Sequence, residues 1–107
     1  MSLDFYLEEM QLVSVFDANI THNLNTMASE AGIYQALWRP EEIGATTGRD
    51  LIPRLQAGLA QLIAHPQRFK AFNPENGWGD YDGLVRFARS VLAACEDHPD
   101  AKIRVSR

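Results

Sequence analysis

Leu3, Phe5 and Leu7 alternate with Asp4, Tyr6 and Glu8 near the start of the chain. A period of two puts the apolar set on one face of a strand. Leu12 to Ile20, rich in Val, Ile and Phe, predicts a second strand, with Glu9-Met10-Gln11 as a short hairpin connection. The period then changes. Thr21 is placed to cap a helix, because its hydroxyl can accept from a free N–H of the first turn. Leu24, Met27, Ala28 and Ala31 follow at helical spacing, and Gly32 is placed to stop them. Ile33 to Trp38 reads as one more helical turn, ended by Arg39-Pro40, and Glu41 to Gly48 reads as loop.

A clearer stripe comes next. Leu51, Ile52, Leu55, Leu59, Leu62 and Ile63 recur on one helical face. Pro53 is expected in the first turn, where its missing N–H costs little. His65-Pro66 ends this helix, and Phe69 and Phe72 fall in a short irregular stretch. Asp80 is placed to cap the last helix, whose buried side is Leu84, Val85, Phe87, Ala88, Val91, Leu92 and Cys95. His98-Pro99-Asp100 stops it. Ala101, Ile103 and Val105 then alternate with Lys102, Arg104 and Ser106, a final strand. The order strand, strand, three helical regions, strand predicts an α+β fold. A small antiparallel sheet, made of the N-terminal hairpin and the C-terminal strand, packs against about three helices. The last strand must join the hairpin, or its backbone would stay unpaired.

Size and charge narrow the picture. The chain has 107 residues, enough for one domain with its own core, here residues 1-107. Its formal net charge of −4 argues against a nucleic-acid backbone or an anionic membrane as main partner. Arg86 with Arg89, and Arg104 with Arg107, are the local basic pairs. No stretch approaches the roughly 20 apolar residues of a membrane span. The N-terminus does not read as a signal peptide. A single cysteine, Cys95, allows no intrachain disulfide and suits a reducing cytoplasm.

Candidate chemistry lies in the turns. Asn73-Pro74-Glu75-Asn76-Gly77-Trp78-Gly79-Asp80-Tyr81 is a shaped loop in which rigid aromatics sit among residues that tolerate positive φ. Its aromatics either plug the core or face a ligand. Thr21, His22 and Asn23 stand at a strand-to-helix junction, where N–H groups and side-chain donors suit an anion such as phosphate. The plainer reading is a Thr21 cap beside solvated neighbours. Trp38 and Arg39, with Trp78, Asp80 and Tyr81, set aromatic faces beside charges. That combination suits a planar ring such as a nucleobase, with Arg39 or Arg104 for phosphate and Asp80 or Asn76 for ring edges. For Trp38, after Ala36 and Leu37, burial with the indole N–H on a backbone carbonyl is the expectation. For Trp78, between two glycines, both roles stay open. His22, His65 and His98 are far apart in sequence, and no Cys pair exists, so no metal or other cofactor is expected. No nucleophile elbow, phosphate-binding loop or paired zinc histidines is present. A His22 base oriented by Asp17 or Asp80 has no spacing to support it.

Several segments together resemble a known family. They are Asn19-Ile20-Thr21-His22-Asn23-Leu24, and Ala31-Gly32-Ile33-Tyr34 with Leu37-Trp38-Arg39-Pro40-Glu41-Glu42-Ile43-Gly44. Asn73-Pro74 with Asn76-Gly77-Trp78-Gly79 and Tyr81, and the ending Val105-Ser106-Arg107, complete the set. The resemblance is to a family of small uncharacterised proteins from bacteria and their phages, and it covers nearly the whole chain. It implies a bacterial or phage setting and a single domain, and it brings no activity.

Two readings of function follow. The first is a non-enzymatic binder of a small nucleotide-like ligand, with Thr21, His22, Asn23, Trp38, Arg39, Asn76, Trp78, Asp80, Tyr81 and Arg104 as the candidate site. In a phage setting it would sequester a host signalling nucleotide. The second is a protein-interaction module or homo-oligomer that acts through an exposed strand edge, Leu3–Glu8 or Ala101–Ser106.

Overall fold

The computed structural model describes residues 1–10 and 13–107. Strands β1 (Ser2–Glu9), β2 (Val13–Thr21) and β3 (Lys102–Ser106) form an antiparallel sheet in the order β2-β1-β3. The α+β architecture is therefore as the alternation predicts. Leu12 and Gln11, placed in the second strand and the hairpin connection, lie outside the described residues. One expectation about the sheet fails. Leu3–Glu8 is no edge, because β1 pairs on both sides and the edges are β2 and β3. β1 pairs with β2 along one side and with β3 along the other. Leu3, Phe5 and Leu7 go to the core opposite Ile20, Ala18 and Phe16.

After β2 comes a 3-10 turn, His22–Leu24, and then α1 (Asn25–Glu30). Thr21 Oγ1 accepts from the Asn23 N–H at 3.2 Å, so it caps this turn rather than a full helix. Gly32, at φ +80°, ends α1. Its N–H donates to the Ser29 carbonyl, and Ile33 N–H donates to that of Ala28, the bond pair of a left-handed helix cap. Next come α2 (Tyr34–Trp38), a 3-10 turn at Pro40–Ile43 and the 17-residue α3 (Gly48–Ala64). The short α4 (Pro66–Lys70) stands where an irregular stretch was expected, because Pro66 pre-sets its first turn and Phe69 is fully buried. The 17-residue α5 (Tyr81–Asp97) follows.

Helix α3 starts earlier than its apolar stripe. Asp50 Oδ2 accepts from the N–H groups of Thr46 and Thr47 and so fixes the entry. Pro53 consequently lies in the second turn, not the first, and Arg49 loses the i+4 donor to its carbonyl. Ile63, counted on the apolar face, is exposed. Helices α3 and α5 pack side by side under the sheet, with α5 beneath β2 and the start of α3 against β3. The outer sheet face is polar. There Arg104 lies 3.8 Å over the Tyr6 ring and 2.9 Å from Glu8 Oε2.

Candidate functional site

The loop between α4 and α5 is tied down at its base and bent by its own side chains. Asn73 Oδ1 accepts from the Tyr81 N–H at 2.8 Å and closes the base. Asn76 Oδ1 accepts from the Trp78 N–H at 2.9 Å, a local turn of the kind Asn favours. Asn76 Nδ2 reaches Asn23 Oδ1 at 3.4 Å, and Asn23 Nδ2 donates to Thr21 Oγ1 at 2.9 Å. Gly79, at φ +100°, lies so close to the strand end that a Cβ there would stand 2.7 Å from Thr21 Cγ2. The loop is thus seated on the end of β2.

Its indole is not seated. Trp78 keeps 69% of its surface exposed. It overhangs an open cleft of about 480 Å³ lined by Ser2, Asn19, Thr21, Asn23, Asn76 and Trp78, with Met1. Four predicted residues, Thr21, Asn23, Asn76 and Trp78, come together here from the strand end, the first turn and the distant loop. The cleft carries three amides, two hydroxyls and one aromatic face. No Lys or Arg lines it among the described residues. Amides and hydroxyls both donate and accept, so the lining suits neutral polar edges beside a ring.

Ser2 and Asn19 also line the cleft, although the sequence alone does not single them out. Asn19 Nδ2 donates to Ser2 Oγ at 2.9 Å and to Asp4 Oδ1 at 2.6 Å. The period-two pattern already puts Ser2, Asp4, Asn19 and Thr21 on the outward face. What it lacks is the register that sets Ser2 opposite Thr21 and Asp4 opposite Asn19.

The other predicted residues serve elsewhere. Trp38 is buried, as expected, but its indole N–H donates to His22 Nδ1 at 2.8 Å and not to a backbone carbonyl. An accepting Nδ1 leaves the ring proton of His22 on Nε2. Trp38 also stacks on Tyr34 with ring centres 5.5 Å apart. The Arg39 guanidinium donates to the Tyr34 hydroxyl at 3.2 Å and lies 3.9 Å from Glu42. Tyr81 is buried, and its hydroxyl donates to the Leu62 carbonyl. Asp80 caps α5, accepting from the Gly83 N–H at 2.7 Å. Arg104 belongs to the outer sheet face. His22, Trp38, Arg39, Asp80, Tyr81 and Arg104 therefore make contacts within the fold and do not line the cleft.

Cys95 is fully buried in α5, and burial pushes its thiol up to about 12. It is a protonated, enclosed side chain at neutral pH. No group of three metal-ligating side chains occurs among the described residues. None of the described helices is long and apolar enough to cross a membrane. Comparison of the chain with protein-family models, with curated proteins and with solved structures finds no match.

Proposed function

We propose that the protein is a non-enzymatic binder of a small nucleotide-like ligand, held by its base and sugar in the cleft beside Trp78. The observation that carries this reading is the exposed indole. A large aromatic left in solvent beside a cleft, on a loop braced by three side-chain bonds, presents a rigid face for a ring to stack on. A base stacked on such a face is worth about 1–3 kcal/mol. The amides of Asn19, Asn23 and Asn76 supply both donors and acceptors for its edges and for ribose hydroxyls. Phosphate contributes little in this arrangement, since the arginines first considered for it, Arg39 and Arg104, are engaged with Tyr34 and Glu8 away from the cleft. The resemblance to proteins of bacteria and their phages gives the reading a setting, sequestration of a host signalling nucleotide in the cytoplasm.

Calorimetry against nucleosides and against mono-, di- and cyclic nucleotides tests it. The expected result is micromolar binding in which a nucleoside binds about as tightly as its phosphorylated form. Trp78→Ala should weaken that binding by about 1–3 kcal/mol. Absence of heat from every member of the panel, at protein concentrations that detect micromolar affinity, overturns the reading.

A further inference from the structure

β2 and α5 together make one flank of the two-layer fold. β2 is an edge strand of nine residues, and among the described residues its N–H and C=O groups that point away from β1 meet no further strand, the Gly79 loop being seated at its Thr21 end. The other edge is partly covered. Ile103 of β3 donates its N–H to the Thr46 carbonyl at 3.0 Å, and Lys102 bridges to Thr47. An uncovered long edge is a template for another strand.

Along the β2 edge runs a trough. One part, about 530 Å³, lies between Ala18, Ile20 and the α5 side chains Arg86 and Phe87. A second part, about 340 Å³, lies between Val15, Phe16 and the α5 side chains Ala93 and Asp97. Ser90 lines both. Arg86, Ser90, Ala93 and Asp97 are all exposed and follow each other at i, i+4, i+7 and i+11, a single stripe of the helix.

This stripe is complementary to itself when reversed. Its midpoint falls between Val91 and Leu92. Turned about that point, Arg86 comes opposite Asp97 of a second copy, and Ser90 comes opposite its Ala93. The charged pair closes each end, and small residues let the helices approach at the centre. Neither Arg86 nor Asp97 forms an ion pair within the chain among the described residues. We propose that this flank is the contact between two copies of the chain. β2 pairs antiparallel with β2, and α5 crosses α5, about a two-fold axis beside Ser90. A two-fold axis makes each patch its own partner, which is the commonest closed arrangement. The union extends the three-stranded sheet to six strands. The proposal does not depend on the ligand reading.

Charge reversal tests it. Light scattering behind size exclusion, over a wide concentration range, should show a dimer for the unaltered chain. Arg86→Glu and Asp97→Arg should each weaken the dimer by about a hundredfold, since each sets like charges against each other twice across the axis. The double reversal should restore it. Circular dichroism checks that each variant stays folded, as expected for exposed positions. Hydrogen exchange should show β2 amides that gain protection as the dimer forms. A monomer throughout, a dimer indifferent to the single reversals, a double reversal without rescue, or β2 amides blind to concentration each overturn the proposal.

Discussion

Two tryptophans of the same chain have opposite roles, and neighbouring residues hint at only one of them. Trp38 follows Ala36 and Leu37 on a helical turn, and that apolar company foretells its burial. Trp78 sits between glycines that permit either outcome. What decides is whether its loop offers the indole a cavity, and the loop instead braces the backbone through Asn73 and Asn76 and leaves the ring outside. Thermal melts should separate the two. Trp38→Ala should cost about 3–5 kcal/mol, as truncating a buried Trp does, and Trp78→Ala less than about 1 kcal/mol. A large drop for Trp78→Ala would show that the ring supports the fold. The two glycines flanking Trp78 also divide. Gly77 has positive φ, but a Cβ there would meet nothing within 4 Å, whereas one at Gly79 would collide with Thr21 and Leu24. Gly77→Ala should therefore lose only the left-handed backbone cost of about 1–2 kcal/mol. Gly79→Ala should lose clearly more and loosen the cleft. Equal losses in urea denaturation would rule out this seating of the loop.

At the level of elements, stripes and caps were legible, and boundaries were legible only where a local signal fixed them. Gly32 and Asp80 act at the positions their residue types favour. The start of α3 did not show, because it depends on a carboxylate reaching back to N–H groups of residues read as loop. Those N–H groups, Thr46 first and then Thr47, hold the Asp50 carboxyl below the usual carboxylate range. In the unfolded chain that carboxyl titrates in the usual range. The stabilisation is therefore present above that range and is lost as pH falls through the lower folded value. Asp50→Ala should cost about 1 kcal/mol at neutral pH, the size of a lost helix cap. The difference from the unaltered chain should shrink in acid. Urea denaturation at both pH values checks this, and a difference that grows in acid contradicts the assignment.

In the whole molecule, the packing of α3 and α5 under the sheet encloses Cys95 and keeps it a neutral thiol. An aromatic disulfide reagent should label the protein at neutral pH only at the rate at which it opens. Rapid labelling of the folded chain would show that α5 is not packed as described. The α+β class, the strand pattern of both ends, the two long helices and the joining of the last strand to the hairpin are all legible in the residue order. They are so because alternation and helical stripes are local and each apolar face must be buried. It takes the packed fold to make β1 central and β2 the long edge. That fold alone sets Asn19 and Ser2 beside Thr21, and it withdraws Trp38, Arg39, Asp80, Tyr81 and Arg104 from the cleft. Those facts turn on register and on contacts between segments tens of residues apart. A residue's type says which bonds it can make, and the fold decides which partner is within reach.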